Sequence, residues 1–330
     1  MSNLEDNIVI SSRIRLARNL KNYKFPVYMT TEEANNVIAE VNYALNKERK
    51  NYDLIYMKEL TDVQKNSLIE NHLISPALAK KNDSGAFLLS PDKKISIMIN
   101  EEDHIRIQTL GEGMSLKECW DLGNKVDDDL EEYVDYAFDK ELGYVTSCPT
   151  NIGTGVRASV MLHLPALSIT NQVEKFLYSI SQLGIAVRGV YGEGTKSIGH
   201  LYQISNQGTL GASEETLIER ITQIVMQIVE KERKTREHLK KNNYDELEDD
   251  FYRAYGLLTH ARKMTTDEAM KLLSLIKLGG EMGITPMVIG KDIYKLMVKI
   301  QPNNISNLEG ISMKERDKKR AEIIRNELLK

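Results

Sequence analysis

Two apolar runs, Ala86 to Ser90 and Ile95 to Asn100, are separated only by Pro91-Asp92-Lys93-Lys94. Four residues leave no room for a crossover helix, so the two runs must pair as an antiparallel hairpin. Further short runs rich in Ile, Val and Tyr stand at Ile8 to Leu16, Leu54 to Met57, Ile105 to Leu110, Tyr144 to Ser147, Ile185 to Val190 and Leu201 to Ser205, and their β-branched and aromatic content reads as strand. Helices interrupt them. Thr30-Thr31-Glu32-Glu33 has the form of a capping box, and Met114 to Glu132 follows as a second helix. The expected fold is α+β, a mostly antiparallel sheet flanked by helices.

After Leu210 the texture changes. Ser213-Glu214-Glu215 caps a helix whose apolar residues Leu217, Ile218, Ile221, Ile224, Val225, Ile228 and Val229 form a stripe of period 3.6. Thr265-Thr266-Asp267-Glu268 opens another helix, and Met313 to Lys330 closes the chain as a charged one. A division is expected within Lys231 to Asn243, giving an α+β domain of residues 1–235 and an all-helical C-terminal domain of residues 236–330. The basic run Lys231 to Lys241 and the acidic run Asp245 to Asp250 read as solvated helix faces.

With 330 residues, 41% of them hydrophobic, the chain has material for a sizeable core, and its formal net charge of -4 gives no nucleic-acid footprint. The start, MSNLEDN, lacks the order of a signal peptide, and no run approaches the ~18 apolar residues of a membrane span. A cytoplasmic protein is expected. Cys119 and Cys148 form no disulfide framework or zinc spacing, so free thiols and no structural metal are expected.

Four segments concentrate Arg, Glu and Gly at strand edges. Ser11-Ser12-Arg13-Ile14-Arg15 puts two arginines on one strand face. Asn100-Glu101-Glu102-Asp103-His104-Ile105-Arg106 crowds three carboxylates and a histidine into a turn, where like charges repel unless a cation offsets them. Cys148-Pro149-Thr150-Asn151-Ile152-Gly153-Thr154-Gly155-Val156-Arg157 leads into Ala158 to Leu164, read as the start of a helix, so its glycines could bring backbone N–H groups to a phosphate. Arg188-Gly189-Val190-Tyr191-Gly192-Glu193-Gly194 repeats the theme. Taken singly, each is equally an ordinary turn or solvated face.

Together, in this order, the four resemble the signature of the phosphagen (guanidino) kinase family, ATP:guanido phosphotransferases, and most closely its protein-directed bacterial branch. The resemblance runs from Ile8 to about Leu210. It implies a kinase that moves the γ-phosphoryl group of Mg·ATP to the guanidinium of arginine side chains in proteins, marking them for Clp-dependent degradation and controlling stress-response repressors. It implies that Arg13, Arg15, Arg106, Arg157 and Arg188 hold the ATP phosphates and His72 contacts the nucleotide. The wider ATP-binding set would be Ser11, Ser12, Ile14, Ala158, Ser159, Val160, Met161, Gly189, Val190, Tyr191, Gly192 and Glu193, with Mg²⁺ held through ATP and no metal site in the protein. Glu102 and Glu193 would grip the substrate guanidinium, facing each other across one pocket, with Cys148 beside it. Arg316, Asp317, Arg320 and Ala321 would form an allosteric phosphoarginine site; otherwise that stretch is a solvated basic helix face. Implied partners are a second copy in a homodimer, a zinc-binding activator, a heat-shock repressor and a Clp unfoldase, with no nucleic acid and no membrane.

The chemistry suits these residue types. A guanidinium is planar, bidentate and permanently charged, so five can fix a triphosphate and stabilise charge during transfer. No G-x-x-x-x-G-K-[ST] loop occurs to do this instead. The acceptor guanidinium must lose a proton to become nucleophilic, and two carboxylates can both align it and take that proton. One alternative is a kinase for free arginine or another small guanidino compound; its relatives place a helical domain before the SSR-x-R strand, whereas ten residues precede Ser11 here. A silent module that binds phosphoarginine or nucleotide without turnover is another.

Overall fold

A computed structural model describes residues 8–47, 51–190, 197–312 and 314–330. Its centre is an eight-stranded sheet in the order β2-β3-β4-β5-β1-β8-β10-β9. The strands are β1 (Val9–Arg18), β2 (Asp53–Tyr56), β3 (Ala86–Leu89), β4 (Ile95–Ile99), β5 (Ile105–Glu112), β8 (Val156–His163), β9 (Ile185–Gly189) and β10 (Leu201–Asn206). Every neighbouring pair among them is antiparallel. β6 (Phe138–Asp139) and β7 (Gly143–Tyr144) form a separate small hairpin.

One sheet face is apolar because β1, β5 and β8 alternate: Ile14, Leu16, Ile105, Ile107, Val156, Ala158 and Val160 are all buried in the main core. Helices α1 (Thr31–Asn46), α3 (Leu116–Glu131), α4 (Pro165–Ile169), α5 (Val173–Ser181) and α6 (Glu214–Asn242) supply side chains to that core. Thr30 caps α1 with the reciprocal Glu33 bond expected of its capping box. Helix α2 (Asp62–Glu70) lies towards the β2 edge.

The helical C-terminal region comprises α7 (Tyr244–His260), α8 (Thr266–Glu281), α9 (Ile293–Lys299), α10 (Pro302–Glu309) and α11 (Arg316–Leu328). Its core takes in Met161, Val190 and Leu201 of the sheet side, so it packs directly on the strands. A junction forms where Glu70 accepts from the Asn303 and Asn304 backbone N–H groups at the start of α10, at 3.0 and 2.8 Å. No helix among the described residues is long and apolar enough to cross a membrane.

Three local expectations need correction. Ala158 to Leu164 does not begin a helix; Ala158 to His163 is the body of β8, and Leu164 stands at the start of α4. Between β1 and β10 that strand is buried nearly end to end, and a short continuous apolar run does not tell strand from helix. Tyr144 to Ser147 is mostly irregular beyond β7, because the Ser147 N–H is taken by Asp103, at 2.7 Å, rather than by a ladder. The basic run Lys231 to Lys241 is the second half of α6 and is only partly solvated, since Glu232 and Arg236 are buried. Glu232 accepts from the Ala166 and Leu167 N–H groups, both at 3.0 Å, satisfying free donors at the start of α4. Arg236 then bridges Glu232 and Glu281, each at 2.8 Å.

Candidate active site

The second sheet face is polar, and pairing rather than any one motif assembles it. Residues opposite each other in an antiparallel pair share a face, as do residues two apart. Arg15 lies opposite Arg157 on β8 and Gln108 on β5, two residues from Arg106. Arg13 lies opposite Ser159, which pairs with Ser205 on β10. Two residues from Ser205, Gln203 lies opposite Arg188 on β9. Four strands thus bring Arg13, Arg15, Arg106, Arg157 and Arg188 to one surface.

That surface is rich in positive charge and poor in acceptors. Burial, then the charges of Arg157 and Arg106, lower the pKa of Arg13 to about 10. Arg15 is driven well below the usual arginine value by burial and by Arg13, Arg106 and Arg157, and Arg157 is lowered by burial, Arg188 and Arg106. Arg13 donates to Gln203 at 2.9 Å and Arg157 to Ser205 at 3.1 Å. The Nε atoms of Arg13, Arg15 and Arg157 and the Ser159 hydroxyl are buried with no hydrogen-bond partner among the described residues. Buried donors of one sign without acceptors fit a polyanion such as a triphosphate.

The acidic turn sorts its carboxylates. Asp103 accepts from Asn19 Nδ2 and the Ser147 N–H, both at 2.7 Å. Glu101 is buried, accepts from the Ser75 hydroxyl at 2.6 Å and pairs with Arg106. His104 accepts from the Leu20 N–H through Nδ1 at 3.0 Å, and its Nε2 stands 2.7 Å from the Lys24 carbonyl. Burial holds its pKa down, so the ring is neutral and structural. Glu102 remains, its side chain 44% exposed, with Arg106 Nη2 at 3.2 Å.

Glu102, Cys148, Arg15, Arg106, Asn151 and Arg157 line one cleft of about 90 Å³. Cys148 is half-buried, its Sγ 3.1 Å from Thr150 Oγ1, and it lies close enough to Arg157 to raise that arginine's pKa. The glycines of this segment serve the loop, not a phosphate at a helix start. At Gly155, φ is +67° and a Cβ would stand 2.7 Å from the Ala17 carbonyl; at Gly153, φ is +113° and it would stand 2.9 Å from that of Thr209. Tyr191, Gly192 and Glu193 lie outside the described residues, so the expected Glu102–Glu193 opposition does too.

Other candidates divide by face. Ser11 and Met161, opposite each other, lie on the arginine side with Ser159. Ile14, Ala158 and Val160 are buried in the main core, and the Ser12 hydroxyl bonds to Gly113 and Ser115. Gly189 ends β9 and Val190 joins the C-terminal core, while the neighbouring Arg188 is exposed. His72, with φ of 59°, is lowered to about 4 by burial and the Arg13 charge. At α11, Arg316 and Asp317 are half-buried, whereas Arg320 and Ala321 are buried. Arg320 donates to the Ile300 carbonyl at 3.0 Å, the Met264 carbonyl at 2.8 Å and Asp317 at 2.6 Å.

Sequence reasoning missed Glu101 as the anchor of Arg106, Gln203 and Ser205 as arginine partners, and Tyr294 of α9, which lies close enough to Arg13 to raise its pKa slightly. Gln203 and Ser205 occupy the polar positions of an alternating strand, a signal that acquires meaning only once the strand order is known. Among the described residues, no group of three or more His, Cys, Asp or Glu is arranged to hold a metal ion.

Comparison with known proteins identifies the family. Residues 33–235 match the family model "ATP:guanido phosphotransferase, C-terminal catalytic domain", and residues 244–330 match "Protein-arginine kinase McsB C-terminal domain". The chain is 46% identical to the protein-arginine kinase of Caldanaerobacter subterraneus subsp. tengcongensis, covering 100% of this chain and 99% of that protein. It is 47% identical to that of Desulforamulus reducens, covering 98% and 93%. Among solved structures it resembles lombricine kinase, with a TM-score of 0.61 and 27% identity over 69% of this chain and 67% of the other. It also resembles the duplicated taurocyamine kinase of Schistosoma mansoni with bound transition state analog components, with a TM-score of 0.64 and 25% identity over 73% of this chain and 35% of that longer one.

Proposed function

The chain belongs to the ATP:guanido phosphotransferase family as a protein-arginine kinase, and we propose that transfer from ATP to a protein arginine runs across the cleft between Glu102 and the five-arginine face. The observation that carries this reading is the acceptor-poor cationic face meeting the exposed Glu102 and the half-buried Cys148 in one cleft. Arg13, Arg15, Arg106, Arg157 and Arg188 would hold the phosphates of ATP with its Mg²⁺. They stabilise the charge that spreads over the equatorial oxygens of the transferring group. Ser11, Ser159 and Met161 border this path, and His72 meets the nucleoside.

The substrate guanidinium enters protonated. Glu102, joined by Glu193 as the family resemblance implies, aligns one nitrogen with the γ-phosphorus and accepts its proton as the N–P bond forms and the bond to the β-phosphate oxygen breaks. Cys148 sits beside that nitrogen and tunes its charge. The family resemblance further supports a cytoplasmic homodimer paired through residues 236–330 and phosphoarginine-responsive at Arg316, Asp317, Arg320 and Ala321. It equally supports a zinc-binding activator, a heat-shock repressor and a Clp unfoldase that removes marked proteins as partners.

Glu102→Gln is the direct test. Transfer to an unfolded protein should fall by about 10²-fold or more while Mg·ATP affinity stays within about twofold; loss of nucleotide affinity instead would refute the assignment. The product should be lost in acid and kept in base, as an N-phosphoryl bond requires, and an acid-stable product would refute guanidinium transfer.

A further inference from the structure

A second, larger cleft of about 910 Å³ opens where the sheet meets the helical region. Its sheet side is formed by Ser11 and His72, and its far side by Ile289, Lys291 and Tyr294 of the α9 segment. Strand β1 connects the two clefts. Arg15 lines the transfer cleft and Ser11 the larger one, with Arg13 between them on the same face. Four residues of strand span about 13 Å, which suits an extended nucleotide with its γ-phosphate at Arg15 and its base beyond Ser11.

We propose that Tyr294, carried by the C-terminal helical region, forms the outer wall of the nucleoside pocket, so that the ATP site is completed only when that region is docked. The proposal rests on the nucleotide reading above and extends it to a residue outside the catalytic sheet. Three observations carry it. Tyr294 of α9 and His72, just beyond α2, come from different elements to line one cleft, and each is close enough to Arg13 for their titrations to be linked. The two rings line the same cleft, and the His72 imidazole is neutral at pH 7, so neither repels a flat heterocycle. Tyr294 also packs against the C-terminal core, which fixes its ring to a rigid body. A base between such walls gains stacking energy that the phosphates alone do not.

Inorganic tripolyphosphate separates the base end from the phosphate end. By calorimetry on the full chain, Tyr294→Ala should weaken Mg·ADP about tenfold and leave tripolyphosphate within twofold, while Tyr294→Phe, which keeps the ring, should bind both as the parent does. Unchanged ADP affinity in Tyr294→Ala, or an equal loss for both ligands, would overturn the proposal. Should that variant not fold, hydrogen exchange on the parent decides: ADP, and not tripolyphosphate, should slow exchange in residues 293–299, and equal protection by both would count against it. A parent that binds neither ligand would instead refute the nucleotide reading itself.

Discussion

At Asp103 the acidic turn is architecture rather than chemistry. Its carboxylate ties the turn to β1 through Asn19 and to the Cys148 loop through Ser147. Asp103→Ala would orphan these buried donors and should cost about 2–4 kcal/mol in urea unfolding. Glu102→Ala, one residue away but exposed, should change stability by less than about 0.5 kcal/mol. Sequence spacing could not rank Glu101, Glu102 and Asp103, because the partners that bury two of them, Ser75, Asn19 and Ser147, are remote in the chain. The arginines were legible for the opposite reason: Arg13 and Arg15 announce their shared face by spacing alone. Arg157→Ala should weaken Mg·ATP by about tenfold or more in direct binding, since it removes a charge-assisted donor from the cradle.

Among the elements, α2 and α10 are joined by a carboxylate at a helix start. Glu70 meets Asn303 and Asn304 N–H groups and the Asn303 side chain at 2.7 Å. Glu70→Ala should therefore cost about 1–2 kcal/mol by thermal or urea unfolding. Strand and helix identity was readable where period or caps were clear, as in β3, β4 and α1. It failed at β8 because Val160, Met161 and Leu162 run on without a polar break after the alternating Val156 to Val160, and in the second half of α6 because buried Glu232 and Arg236 look solvent-facing until their partners at α4 and Glu281 are known.

Across the whole molecule, burial lowers the pKa of four histidines. His72 and His200 fall to about 4, and His104 and His163 are also lowered. Each binds a proton more readily when unfolded, so stability should rise with pH between about 4 and 6.5 and decline as pH falls through that window. The slope contributes up to ~1.4 kcal/mol per pH unit for each proton by which the two states differ. Urea midpoints at pH 7.5 and 5.5 check the sign, and a higher midpoint at 5.5 would contradict it. His163 and His200 both meet the Ser274 hydroxyl of α8, at 2.8 and 2.7 Å, so protonating them charges the seam between sheet and helical region.

Helix α6 runs without a break to Asn242. A chimaera spliced between residues 235 and 236 would graft Arg236 from one parent beside Glu232 of another and depend on both parents having chosen the same pair. Joining relatives at Asn243, where the backbone leaves the helix, keeps that couple within a single lineage, and makes the Glu281 contact the one ion pair of this group that the exchange has to reproduce.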